Sequence, residues 1–298
     1  MVNGINFDRT QAIKQLKQKY TKVFKKELGT LKGIQARLRL KEGTIPKTTK
    51  PYRVPLAMWT KVESEYERLE SLGIIKKVSA SEWSTGVVAV PKPDGSVRIC
   101  GNYKTTVNPA LMPVAPPQIN VDGILASLNV DGKSKYFTTL DLVQAYNQMI
   151  VSKESRPLLA LATNKGLYAY TRLAFGISVA PALWQNAMEQ VPMGIERVQV
   201  YYDDILIAGR TEKEHVKLLD QVMTRLEEYG LRLNEQKCMF FRESVEYLGM
   251  VIDKNGIAPI PSKIEKVVST PKPKDVTQLR SYVSMLSYYR RCLKNLAQ

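Results

Sequence analysis

Residues 198–208, Val198-Gln199-Val200-Tyr201-Tyr202-Asp203-Asp204-Ile205-Leu206-Ile207-Ala208, constrain this chain more than any other stretch. Two apolar runs, each long enough for a strand, meet at adjacent aspartates, a residue type depleted in strands and at home in tight turns. The pattern predicts a β-hairpin with the acids at its tip. Taken alone, such a turn is more often solvated than chemical, so the reading depends on a partner. Adjacent carboxylates repel, and a hard divalent cation with oxygen ligands is the usual way to relieve that.

The third acid is Asp141. In Lys135-Tyr136-Phe137-Thr138-Thr139-Leu140-Asp141-Leu142-Val143-Gln144-Ala145-Tyr146 a β-favouring run ends at an isolated aspartate, placing it where a strand turns outward. Asp141, Asp203 and Asp204 on neighbouring strands would hold two Mg²⁺ ions. Such a pair suits in-line displacement at phosphorus, one ion activating the attacking oxygen and the other stabilising the leaving one.

Composition narrows the alternatives. At 298 residues with 44% hydrophobic content, the chain can bury a sizeable interior and predicts about two lobes. With 44 Lys and Arg against 28 Asp and Glu, the net charge of +16 favours a polyanionic partner, most simply nucleic acid. A solvated basic surface or attraction to a membrane gives the same balance. No apolar run approaches membrane-spanning length and the N-terminus lacks a signal-peptide pattern, so a soluble intracellular protein is expected. Cys100, Cys238 and Cys292 are odd in number, far apart and in no metal-ligand spacing, which reads as reduced and structural. The single histidine, His215, falls in a predicted helix as a surface or helix-packing residue. A zinc site or a Ser-His-Asp triad is hard to build from these, and any metal has to be bound through oxygen.

A Tyr-x-Asp-Asp hairpin, preceded by a strand ending in Asp141 with an aromatic ring five residues later, resembles the palm of a reverse transcriptase. More closely, the chain is similar to the polymerase region of gypsy-type LTR retrotransposons, the group related to retroviral polymerases. The segments that carry the resemblance are Val90-Pro91-Lys92-Pro93-Asp94-Gly95-Ser96-Val97-Arg98-Ile99-Cys100, Leu173-Ala174-Phe175-Gly176-Ile177-Ser178-Val179-Ala180-Pro181, the aspartate hairpin, and Val245-Glu246-Tyr247-Leu248-Gly249. They occur in family order. Four departures stand out: Asn102 replaces the usual acid before Tyr103-Lys104, Ala174 replaces a proline before Phe175-Gly176, and Ser284 and Ser287 replace a common Gly and Asn.

The resemblance implies an α+β right-hand polymerase with fingers, an antiparallel palm sheet backed by helices, and a helical thumb. It implies that Lys92 and Arg98 contact the incoming nucleotide's phosphates, Arg98 through its planar fork of donors. Leu142, Phe175 and Gly176 join them around the nucleotide, with Leu142 also beside the metals. Tyr146 takes the position of the steric gate, a ring beneath the sugar that leaves no room for a 2′-hydroxyl. A core tyrosine is the other reading there, and Phe175 is likewise readable as core. Tyr202 and Lys104 fall to primer or template, and Tyr247-Leu248-Gly249 resembles the primer grip, or else is a structural hairpin. The implied cofactor is a pair of Mg²⁺ ions, with Mn²⁺ a possible substitute. The implied partners are an RNA template, a DNA primer and duplex, and dNTPs, with no membrane and with dimerisation left open. The implied setting is a cytoplasmic retroelement particle, or the nucleus.

In chain order, 1–50 reads as an N-terminal lead-in with a helix over 8–20 bearing Ile13, Leu16 and Tyr20. Fingers over 51–110 contain a helix at 57–72, with Val62, Tyr66, Leu69 and Leu72 on one face and Gly73 as its stop, and a hairpin turning through Pro93-Asp94-Gly95. A Pro-rich connection, 111–140, leads to a short helix near 124–128. The palm, 141–255, includes a fingers portion near 150–175 whose hairpin closes at Asn164-Lys165-Gly166. It continues with a helix over 180–191 striped by Leu183, Ala187 and Val191, and a helix over 212–229 stopped by Gly230. A partial thumb, 256–298, has an N-cap signal at Asp275 and the stripe Leu279, Tyr282, Val283, Leu286 and Tyr289. Its Lys263, Lys266, Arg280, Arg290 and Arg291 either track duplex phosphates or form a solvated face. An RNase H domain, which follows further on in the family, has no room here.

The expected function is RNA-directed DNA polymerase, extending a primer on RNA or DNA by two-metal nucleotidyl transfer. Two rivals remain. A catalytically inactive, retroelement-derived nucleic-acid-binding protein is motivated by the departures; an RNA-templated RNA polymerase shares the palm but is disfavoured by a bulky ring at 146.

Overall fold

The computed structural model describes residues 7–115, 123, 128 and 134–289; the expected helix near 124–128 falls largely outside the described residues, as do Arg290, Arg291 and Cys292. In chain order the strands are β1 (Gln35–Ala36), β2 (Ile75–Val78), β3 (Thr85–Pro91), β4 (Val97–Gly101), β5 (Tyr136–Asp141), β6 (Ile150–Val151), β7 (Ala160–Thr163), β8 (Gly166–Tyr170), β9 (Val198–Tyr201), β10 (Asp204–Gly209), β11 (Met239–Arg242), β12 (Ser244–Tyr247), β13 (Met250–Asp253) and β14 (Gly256–Pro259). The helices are α1 (Arg9–Lys19), α2 (Trp59–Ser71), α3 (Ala180–Met188), α4 (Glu212–Glu228), α5 (Pro261–Val268) and α6 (Val276–Tyr288).

The palm is a four-stranded antiparallel sheet in the order β11-β5-β10-β9. Within it β10 reads Ile205-Leu206-Ile207-Ala208 without polar alternation, because both of its faces are covered. Ile205 and Ile207 join the main core with Trp184, Leu219 and Leu226, while Leu206 and Ala208 pack with Phe137, Val245, Met250 and Ile252. That second cluster ties the β12-β13-β14 sheet to the palm's far side. Thr211 caps α4 by accepting from Glu214 N at 3.2 Å, and Glu214 reaches back to accept from Arg210 N at 2.8 Å. At the end of β10, Gly209 lets this helix approach: a Cβ there would stand 2.8 Å from His215 Cβ. His215 is fully buried, which decides between its two readings in favour of helix packing.

The fingers are a five-stranded sheet, β2-β8-β7-β3-β4, covered by α2 through Val62, Tyr66 and Leu69. Two details differ from expectation. A 3₁₀ turn, Leu56–Met58, precedes α2, and Leu72 is 37% exposed, because it caps the helix where Gly73, at φ +64°, turns the chain away. Likewise α3 ends at Met188, and its buried residues include Ala180, Ala182, Trp184, Ala187 and Met188, with Leu183 only half-buried. Nearly every residue of α3 is apolar, so periodicity alone does not mark its covered side.

Residues 29–36 are woven into the palm. Thr30, Leu31 and Lys32 donate their N–H groups to the carbonyls of Gly230, Gln148 and Tyr229, and β1 pairs in parallel with β6. At the other end, Asp275 caps α6 as expected, accepting from Gln278 N at 2.7 Å. The expected stripe is covered only in part: Leu279 and Val283 are half-exposed, while Tyr289 packs against the second core cluster. Among the described residues no helix is long and apolar enough to cross a membrane.

Candidate active site

A two-residue loop, Tyr202-Asp203, joins β9 to β10, with Tyr201 paired to Asp204. Tyr202 has φ +52°, where such a hairpin usually places glycine. The neighbouring helix α3 holds it there. Gln185 Oε1 accepts from Tyr202 N at 2.7 Å, Trp184 Nε1 donates to Tyr202 O at 2.9 Å, and Gln185 Nε2 donates to Val200 O at 3.0 Å. Both backbone groups of the strained residue are thereby fixed.

The register of β10 against β5 sets Asp204 opposite Asp141. Around them Leu142 N donates to Asp203 O at 3.4 Å and Asn234 N to Asp141 O at 2.8 Å. Asp203 Oδ1 is buried with no hydrogen-bond partner. Burial, then the charges of Asp204 and Asp141, push its pKa up to about 6, against the pull of Lys237. Asp204 is raised too, by burial and by Asp141. Lys237 brings a positive charge to this group, its Nζ 3.4 Å from Asp141 Oδ2.

Asp141 and Asp203 line a cavity of about 450 Å³ together with Lys92, Arg98, Leu142 and Phe175. The Arg98 guanidinium lies 5.2 Å above the Phe175 ring centroid, a cation–π arrangement. Half-buried Tyr146 adjoins rather than lines the cavity, packed on Phe175 at 5.0 Å and edge-on to Trp184 at 6.0 Å. Gly176 has φ +90°, and a Cβ there would stand 3.1 Å from Gly101 O. Asn108 clamps that turn to the fingers, donating to Gly176 O at 2.8 Å and accepting from Ser178 N at 2.9 Å.

Of the predicted primer and template residues, Tyr202 shares its hairpin loop with Asp203, whereas Lys104, Tyr247, Leu248 and Gly249 do not line the cavity. Lys104 is exposed in the turn after β4. Tyr247 is buried, and Leu248 and Gly249 form a two-residue hairpin turn with φ +48° and +72°. The Tyr288 hydroxyl donates to Leu248 O, so α6 touches this turn directly. Cys100 and Cys238 are free and half-buried.

Several cavity residues escaped the sequence reading: Lys237, Gln144, Asn234, and the pair Glu65 and Arg68 from α2. Only Lys237 left a trace, a basic residue shortly after the Gly230 helix stop, and nothing local distinguishes it from a solvated lysine.

The donor set fits a divalent cation. Its oxygens are hard, and one buried carboxylate oxygen lacks any partner. The cage is not preformed: among the described residues no three His, Cys, Asp or Glu side chains stand at ligating spacing. A cation would have to draw the carboxylates inward.

Palm and fingers segments around a cavity lined by Asp141 and Asp203 define a right-hand polymerase domain. The model of the family described as reverse transcriptase (RNA-dependent DNA polymerase) matches residues 90–252, more than half of the chain, and the chain belongs to that family. It is 33% identical, over 87% of its length, to the retrovirus-related Pol polyprotein from transposon 412 of Drosophila melanogaster, covering 21% of that protein. To the Pol polyprotein from transposon gypsy of the same organism it is 32% identical over 79% of its length, covering 23% of that protein. The foamy viral protease-reverse transcriptase dRH, solved in complex with double-stranded DNA, matches with a TM-score of 0.82 at 25% identity, covering 96% of this chain and 50% of that one. The gypsy-type resemblance read from the motifs agrees with these relatives. The chain spans about a quarter of the length of the curated relatives it matches.

Proposed function

We propose that this chain extends a DNA primer on an RNA or DNA template, as an RNA-directed DNA polymerase. The observation that supports this most is the β5-to-β10 register. It sets Asp141 opposite Asp204, and Asp141 and the loop residue Asp203 line a cavity whose other residues include Lys92 and Arg98. Carboxylates and cations lining one cavity match a nucleoside triphosphate, with little covalent chemistry left for the protein. Two Mg²⁺ ions held by Asp141, Asp203 and Asp204 would act as Lewis acids on the primer's 3′-oxygen and on the departing pyrophosphate. Lys92 and Arg98 neutralise the triphosphate and orient it, Arg98 pre-aimed by its stack on Phe175. The net charge of +16 attracts the duplex.

Incubation with a primed RNA, Mg²⁺ and either dNTPs or rNTPs tests the proposal. Extension with dNTPs supports it; duplex binding without extension, or a preference for rNTPs, overturns it. Two variants refine the roles. Arg98→Ala raises KM for dNTP about tenfold, and Arg98→Lys recovers only part of it because an ammonium neither stacks nor forks. Tyr146→Ala raises rNTP incorporation relative to dNTP about tenfold, read by competing the two in single-nucleotide extension.

A further inference from the structure

Past Asp141 the antiparallel ladder continues with the bridge Leu142↔Leu233, and the next pair in register is Val143 with Arg232. That pair is split. Val143 N still donates to Arg232 O at 3.0 Å, but the return bond from Arg232 N to Val143 O is replaced by a side chain. Gln148, fully buried, accepts from Arg232 N at Oε1 (2.8 Å) and donates from Nε2 to Val143 O (2.7 Å) and Arg232 O (3.0 Å). One end of the amide meets an N–H and the other meets two carbonyls, which sets its orientation. Gly29 makes room for it, since a Cβ there would stand 2.1 Å from Gln148 Oε1.

We infer that Gln148 is a positioning residue for nucleotide selection: its amide, spliced into the ladder, sets the splay with which the chain leaves β5 and so where Tyr146 meets Phe175. Directly after Val143, Gln144 takes the left-handed conformation, φ 45° and ψ 50°, which a residue with a Cβ adopts only under strain. The 3₁₀ segment Ala145–Gln148 follows and carries Tyr146. The residue that ends this segment therefore holds the carbonyl of Val143, just ahead of its left-handed entry. Arg232, gripped by the same amide, leads into Asn234 and Lys237, so one side chain ties together the two segments flanking Asp141. A buried amide with its hydrogen bonds made is rigid, and its removal leaves backbone groups of both segments unpaired.

The kinetic part of this inference rests on the proposed polymerase activity; the structural part does not. The test compares the parent chain with Gln148→Met, which keeps the length and removes the amide, and Gln148→Asn, which is one methylene too short to bridge both segments. Amide hydrogen exchange over residues 142–147 is expected to quicken at least about tenfold in Gln148→Met, with β9 and β10 unchanged. In single-nucleotide extension KM for dNTP rises about tenfold and the dNTP-over-rNTP preference falls, with kcat and duplex affinity held within about twofold. Gln148→Asn lies between, and decides on the same readouts should Gln148→Met not fold. Parental exchange at 142–147 overturns the inference. So does a joint fall of kcat and melting temperature with KM and sugar preference unchanged, the pattern of a merely structural residue. A parent chain that extends no primer sinks the proposed function instead, and the exchange measurement then decides on the amide by itself.

Discussion

Asp203→Asn lowers primer extension at least about 10³-fold while leaving template–primer binding within about twofold. The carboxylate it removes does nothing evident for the fold: Oδ1 is buried without a partner, and its pKa is pushed up to about 6 by burial and by Asp204 and Asp141. An acid with a raised pKa costs stability once it ionises. That cost is absent below about pH 4, grows as the pH rises to 6, and is complete above 6. The metal-free melting temperature of Asp203→Asn at pH 7 should therefore hold or rise even as activity collapses. Asp141→Asn should lose activity equally without that gain, because Asp141 already pairs with Lys237. Extension assays, fluorescence anisotropy on a labelled duplex and thermal melts read the three quantities. Near-parental extension by Asp203→Asn would remove it from the metal site.

Acidification from pH 6.5 to 4 removes about 3 kcal/mol of stability through His215. The ring is fully buried, and burial lowers its pKa to about 4. Its Nε2 lies 2.7 Å from Thr138 Oγ1, its Nδ1 has no partner, and the ring meets Phe241 edge-on at 4.8 Å. A folded-state pKa below the unfolded value gives stability that is complete above pH 6.5 and lost as the pH falls to about 4. Asp203 works in the opposite direction across an overlapping window, so the parent's acid response is shallow. Asp203→Asn then exposes the full His215 loss, whereas His215→Gln leaves a chain that gains stability on mild acidification. Urea midpoints at pH 7, 5.5 and 4.5 separate the three proteins; identical slopes in all of them would refute the account.

Much of the site was legible because its signals are local. Adjacent aspartates between apolar runs mark a turn whatever surrounds them. Asp8, Thr211 and Asp275 cap helices through their own side chains, accepting from Gln11, Glu214 and Gln278. Gly73 and Gly230 end helices with positive φ, the conformation glycine alone adopts freely. What stayed hidden depends on distant segments. Lys237 reads as a solvated lysine until β11 pairs with β5 and brings it to Asp141. Gln185 and Trp184 belong to a helix so apolar that no stripe singles them out, yet they hold the backbone of Tyr202. Gln148 shows no polar pattern of its own, because the two segments its amide joins, at Val143 and at Arg232, meet only in the folded chain.

By itself, the order of residues determined the turns, the helix ends, the acidic hairpin and the family those motifs define, since each follows from interactions within a few residues. Only the folded chain decided that position 141 faces 204 and not a neighbour one step away. A slip of one residue would turn every side chain of β5 to the opposite face, and what prevents it is the burial of both faces of β10 by segments remote in sequence.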